Sequence, residues 1–169
     1  MFDDLVLGMD PGTAAVGLAV VGRRGPQVVV VWAETVHTPP GLPAASRLLR
    51  LYRSVRDAIT AHRPAAVAIE RLMWGRNAQS AMGVARATGV LMLSAAEAGL
   101  PVEEYAPLEV KMSVTGVGNA PKEQVRRALV RVLGVEGVPS DPDAADAVAV
   151  AICHMQQSRL RRLSREAVP

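Results

Sequence analysis

Cysteine is nearly absent from this 169-residue sequence. Cys153 stands alone, so no disulfide can form within the chain, which fits a reducing compartment. No uncharged apolar run approaches the roughly 18 residues that a membrane-spanning helix needs, so no membrane span is expected. There is no internal repeat, no low-complexity linker and no block of like charge in the body of the chain. Positive charge is also missing from the extreme N-terminus. Met1-Phe2-Asp3-Asp4 carries acid where a secretory leader carries basic residues, and a cytoplasmic protein is the expectation. Lysine is scarce, with Lys111 and Lys122 the only two.

What is present describes a folded domain. Half of the residues are hydrophobic and 21% are charged, which excludes a disordered chain. The length suits one domain. Lys+Arg 19 against Asp+Glu 16 leaves a net charge of +3, which permits a nucleic-acid partner without demanding one. Basic residues gather at the end, where Arg159, Arg161, Arg162 and Arg165 face only Glu166. The expected organisation is a domain over 1–157 and a flexible basic tail over 158–169.

Local patterns predict the elements. Leu5, Val6, Leu7 and Met9 read as a buried strand that stops at the turn Asp10-Pro11-Gly12-Thr13. Residues 15–21 and 28–36 read as two further strands around a hairpin turn, and three strands with short links imply antiparallel neighbours. Leu48, Tyr52, Val55 and Ile59 recur at spacings of 4, 3 and 4, which predicts a helix over 44–62. Arg47, Arg50, Arg53 and Arg56 lie off that stripe and read as a solvated face. A short apolar strand over 65–69 ends at Glu70. A loop (71–76), a long helix (77–98), a strand (101–105) and a short helix after Pro107 follow. A loop over 115–119 and a helix over 121–133 precede the last helix. Asp141 caps that helix with Pro142 at its first position, and an Ala/Val-rich run carries it to about residue 157. The sum is an α/β fold: a mixed five-stranded sheet, three antiparallel strands then two parallel, flanked by helices.

Four carboxylates occupy unusual places. Asp10 follows a buried strand and Glu70 ends another. If the first and fourth strands pair in parallel, these two lie side by side at the carboxyl edge of the sheet. Asp143 and Asp146 are three apart near the start of an apolar helix and share a face. Singly, each has an ordinary reading: Asp10 as a turn residue, Glu70 as a solvated strand end, Asp143 as a complement to the helix dipole. Asp146 has Ala144, Ala145, Ala147, Val148 and Val150 around it, and an acid so placed needs a partner. Four clustered carboxylates repel one another, and divalent cations relieve that. Mg²⁺ prefers oxygen ligands, and two ions about 4 Å apart can clamp a reacting phosphodiester. Lys111 and Lys122 read as phosphate-binding point charges or as solvated surface. Gly116 and Gly118 let backbone approach a phosphate or make a turn. His154 lies three turns beyond Asp143 and reads as packed; Cys153 reads as inert core.

Gly8-Met9-Asp10-Pro11-Gly12, Ala68-Ile69-Glu70 and Asp143-Ala144-Ala145-Asp146-Ala147 together resemble the three acidic motifs of the RuvC family of Holliday junction resolvases. Tyr105-Ala106-Pro107-Leu108-Glu109-Val110-Lys111 and Gly116-Val117-Gly118-Asn119-Ala120-Pro121-Lys122 match in order and spacing. The resemblance spans residues 5–154. It implies a ribonuclease-H-like fold and a homodimer that makes paired, symmetric nicks at four-way DNA junctions, leaving 5′-phosphate and 3′-hydroxyl ends. It implies that Asp10, Glu70, Asp143 and Asp146 hold two Mg²⁺ or Mn²⁺ ions. It also implies that Lys122 can reach the reacting phosphate and that Lys111 and Lys122 contact the DNA. RuvA and RuvB are the branch-migration partners it suggests.

The loop Arg71-Leu72-Met73-Trp74-Gly75-Arg76-Asn77 aligns with the family's junction-centre loop. Met73 stands at the family's aromatic position and Trp74 follows. Either can act on the junction, Met73 as an apolar wedge or Trp74 by stacking, or both can pack in a core or interface. Arg76 and Asn77 are candidates for phosphate contact. Two rivals remain: an RNA-processing nuclease of the same fold, and an actin- or Hsp70-like nucleotide-binding module, for which Asp10-Pro11-Gly12-Thr13 fits but the chain is short.

Overall fold

The computed structural model describes residues 3–39, 41–72 and 78–166. The β-branched runs at the start form strands β1 (Asp3–Pro11), β2 (Ala15–Arg24) and β3 (Gln27–His37). They pair antiparallel in sequence order, because each link is short enough only for a hairpin. Helix α1 (Ala44–His62) carries the chain across the sheet to β4 (Ala66–Glu70), which pairs parallel with β1. Helix α2 (Ala78–Glu97) makes a second crossover to β5 (Val102–Tyr105), parallel with β4. The sheet order is β3-β2-β1-β4-β5. Helices α3 (Pro107–Thr115), α4 (Lys122–Arg127) and α5 (Pro142–Glu166) complete the chain.

The sheet separates two apolar layers, and strand parity decides which residue serves which. Leu7 and Met9 of β1, Val16, Leu18 and Val20 of β2, and Val67 and Ile69 of β4 pack with α1 and α2. Val6, Ala19, Val21 and Ala68 face the other way, toward α3, α4 and α5. Asp10 shares the parity of Val6, and Glu70 that of Ala68, so both acids turn to the α5 side.

That side is floored by small residues. A Cβ on Gly17 would lie 1.9 Å from the Asp143 carbonyl oxygen, and one on Gly8 2.1 Å from that of Ala147. The missing side chains let the α5 backbone rest directly on the sheet. The residues of α5 that descend onto it, Ala147 and Ala151, are small as well.

Three features depart from the sequence reading. Helix α5 continues past residue 157 to Glu166, so the arginine-rich stretch begins within the helix. The helix expected over 121–133 is α4 followed by a π-helical turn (Ala128–Val132), where Leu133 N–H donates to the Ala128 carbonyl at 2.9 Å. The chain then bonds to β3 through Glu136, which donates to the Val28 carbonyl and accepts from Val30 N–H, covering part of an edge strand. Arg47, read as solvated, is half-buried. Its guanidinium turns back over the β1–β2 turn and donates to the Thr13 carbonyl at 2.5 Å and to Thr38 Oγ1 at 3.1 Å. No helix among the described residues is long and apolar enough to cross a membrane.

Candidate active site

The parallel register that joins Met9 to Ile69 leaves Asp10 and Glu70 as the next residues of their strands, adjacent at the carboxyl edge. Helix α5 starts above the same edge. Its N-terminus is fixed by Asp141, whose Oδ1 accepts from the N–H groups of Asp143 and Ala144, both at 3.1 Å. Thr35 of β3 donates its hydroxyl to the same Asp141 oxygen, tying the helix start to the sheet. These bonds hold the Asp141 carboxyl below the usual carboxylate range, the Thr35 hydroxyl contributing most.

Carboxylate oxygens of Asp10, Asp143 and Asp146 lie within 4.8 Å of one another. Glu70 is not one of that trio, but it stands beside Asp10 at the end of the neighbouring strand, and its charge acts on Asp10. The crowding has an electrostatic cost. Burial first, then the charges of Glu70 and Asp146, raise Asp10 from 3.8 to about 7. Glu70 is raised too, by burial and then by Asp146.

Both lysines answer this charge. Lys122, the first residue of α4, pairs with Asp146 Oδ2, and that bond holds its ammonium above the usual lysine range. Lys111, half-buried on α3, is close enough to lower Glu70. Four carboxylates against two ammonium groups still leave an excess of negative charge. An all-oxygen donor set of this kind suits a hard divalent cation.

The structure therefore brings Asp10, Glu70, Asp143, Asp146, Lys111 and Lys122 to one edge. Met73, Trp74, Arg76 and Asn77 lie outside the described residues. His154 stays apart from the acids: its Nδ1 is 3.0 Å from the Tyr105 hydroxyl, and the two rings meet edge to face. Cys153 is fully buried, and burial raises its thiol. Gly116 closes α3 with φ of 73°, a helix stop in the left-handed region. Sequence reasoning missed Gly8, Gly17 and Thr35. Glycines inside strands signal close backbone approach, which was there to be used; a lone threonine on an edge strand carries no comparable signal.

Comparison with known proteins places this geometry. The family model described as crossover junction endodeoxyribonuclease RuvC matches residues 6–154. The protein of that name from Moorella thermoacetica is 43% identical over 162 residues, covering 96% of this chain and 97% of its own. The one from Thermotoga maritima is 42% identical over 161 residues, covering 95% and 96%. Among solved structures, Thermus thermophilus RuvC in complex with Holliday junction substrate superposes with a TM-score of 0.86 at 35% identity, covering 94% of this chain and 96% of that one. The yeast mitochondrial Holliday junction resolvase Ydc2 shares the fold, with a TM-score of 0.66 at 15% identity over 93% of this chain and 82% of that one. With the family model matched over residues 6–154, a shared fold and this extent of identity, the chain belongs to the RuvC family of crossover junction endodeoxyribonucleases.

Proposed function

We propose that the protein is a metal-dependent endodeoxyribonuclease that resolves four-way DNA junctions in recombination and repair. The observation that carries this is the convergence of Asp10, Glu70, Asp143 and Asp146, from three separate elements, on one edge with both lysines of the chain.

The residues present fit divalent cations. Asp10 is raised to about 7 by burial first and then by the charges of Glu70 and Asp146, so the site gains by taking up positive charge. Asp10, Glu70, Asp143 and Asp146 would hold two Mg²⁺ or Mn²⁺ ions. Bound there, such ions supply Lewis-acid charge to a phosphodiester and an activated water.

The chain's own groups supply position and fixed charge. The β1–β4 pair belongs to the sheet and the α5 N-terminus to the helix packed on it, so their acids are held in place by the core. The hydrogen bond that Lys122 donates to Asp146 holds it protonated, which leaves a permanent ammonium at the pocket edge for a phosphate oxygen. Lys111 places a second ammonium on the Glu70 side. Junction shape and backbone would dominate recognition, since lysine contacts to phosphate carry no sequence information.

Paired symmetric nicks with 5′-phosphate and 3′-hydroxyl ends require two such sites, so the working form is a homodimer. RuvA and RuvB are the proposed branch-migration partners, and the cytoplasm the proposed compartment. The test is cleavage of a mobile four-way junction, a linear duplex and an RNA–DNA hybrid, each with Mg²⁺ and with chelator. Paired nicks on the junction alone, and only with metal, are expected. Preferential cutting of the hybrid would favour an RNA-directed nuclease and overturn the junction assignment.

A further inference from the structure

We propose that the cavity between the β1–β2 turn and helices α1 and α2 binds a backbone phosphate of the DNA strand that lies in the acidic site. The proposal rests on the nuclease reading above and adds a contact point to it.

The cavity has a volume of about 420 Å³ and two guanidinium groups, Arg47 and Arg86, in its wall. Gly12 and Thr13 form another part of that wall. No carboxylate lines it among the described residues. Three further observations point to an anion. First, Arg47 Nε is buried and has no hydrogen-bond partner, although Nη2 of the same side chain is held by Thr13 and Thr38. A buried guanidinium N–H left unmatched is costly, and an incoming oxygen would satisfy it. Second, the first turn of α1, whose Ala44 and Arg47 border the cavity, has no side-chain cap and no acidic residue. Its free N–H groups and dipole add positive potential to that of the two arginines. Third, Arg86 is exposed, and among the described residues its guanidinium meets only the Met82 sulfur, at 3.4 Å. Among the described residues it makes no ion pair.

Location selects the anion. Gly12 is two residues beyond Asp10, so its Cα lies no more than about 7.6 Å from that of Asp10 along the chain. Both features stand at the same end of β1, the acids on the α5 face of the sheet and the cavity on the α1–α2 face, so a strand held at the acids that continues across this edge would bring a neighbouring phosphate to the cavity. Arginine suits the task, since its planar fork matches phosphate oxygens and it cannot lose its charge.

The experiment measures junction binding in chelator across a salt series, for wild type and Arg86→Gln. Arg86 carries the test because it is exposed, whereas Arg47 also braces a turn. The variant should melt at the wild-type temperature, bind several-fold more weakly, and show a slope of log K against log salt shallower by about 0.9, the value for one lost phosphate. Arg47→Lys, which keeps charge but not the fork, should recover only part of the affinity lost in Arg47→Gln. An unchanged slope in Arg86→Gln, with wild-type protein binding junction normally, overturns the cavity assignment alone. Failure of the wild type to prefer junction over duplex overturns the nuclease reading instead. If inorganic phosphate raises the melting temperature of wild type but not of Arg86→Gln while both salt slopes agree, the cavity takes a free anion and the DNA proposal is wrong.

Discussion

Replacing Gly17 with alanine adds one methyl group and should disable cleavage. Gly17 pairs with Asp10 across β1 and β2, and its open face lies under the start of α5. The added Cβ would sit 1.9 Å from the Asp143 carbonyl oxygen, where contacts under 3.0 Å essentially do not occur. The obstacle is backbone on both sides, so no side chain can rotate away. The helix must rise by at least 3.0 − 1.9 = 1.1 Å. Asp143 and Asp146 rise with it, while Asp10 and Glu70 stay on the sheet. A displacement of about 1 Å at a catalytic centre costs on the order of 100-fold in rate. Overpacking of this kind costs about 1–3 kcal/mol of stability.

The assays are single-turnover cleavage of a four-way junction with Mg²⁺ and urea denaturation without it. Cleavage should fall by roughly 100-fold or more, with a lower denaturation midpoint. Junction binding in chelator should survive, because Lys111, Lys122 and Arg86 do not ride on α5. A variant that cuts at the wild-type rate and unfolds at the wild-type midpoint would refute the idea that α5 rests on bare backbone. A variant that is destabilised but cuts normally would refute the link between that contact and the acids.

Four other outcomes follow from the same geometry. Asp146→Asn should abolish cleavage while leaving junction binding largely intact; undiminished nicking would remove Asp146 from the catalytic set. Lys111→Ala should weaken junction binding and flatten its salt dependence by about 0.9 in slope, and an unchanged slope would take Lys111 off the DNA. Thr35→Val should cost about 1.5–3 kcal/mol, the range for a hydrogen bond to a charged group, and should reduce the rise in melting temperature that Mg²⁺ produces; Thr35→Ser should restore both, and a normal Mg²⁺ response in the valine variant would show that the Asp141 tether does not position the acids. Folded Asp10 titrates at about 7 against 3.8 unshifted, so the folded chain keeps a proton that the unfolded chain has released. Metal-free stability should therefore fall as pH rises through that interval and level off above it, by up to about 4 kcal/mol. Asp10→Asn should lose most of this dependence in denaturation at about pH 5 and about pH 8, and an equal dependence in both proteins would refute the assignment to Asp10.

Most of the framework was legible because it rests on periodicity. The 4-3-4 spacing from Leu48 to Ile59 predicts α1 at the bounds it has, Ala44–His62. Asp141 before Pro142 marks the start of α5, and Asp141 does cap it. The acid pocket was legible in outline from buried strands that end in carboxylates. Contacts that depend on three dimensions were not. Arg47 falls on the polar side of the helical pattern, yet the turn behind it offers the Thr13 carbonyl, and tertiary bonding outweighs the pattern. The π-helical turn after α4 leads into Glu136, which docks on β3 more than a hundred residues away in sequence, a contact that no local pattern announces. Thr35 gains its role only because β3 passes beside the last helix.

Strand parity also sets which changes of length this protein can tolerate. Insertion or deletion of one residue between Val6 and Asp10 would turn the aspartate into the layer of Val67 and Ile69 and swing a methionine among the carboxylates. The same holds between Ala66 and Glu70. Surface connections such as the one before α1 carry no such two-residue frame. Variation in size among related chains should therefore collect in those connections and spare the few residues on which the two acidic strands count their steps.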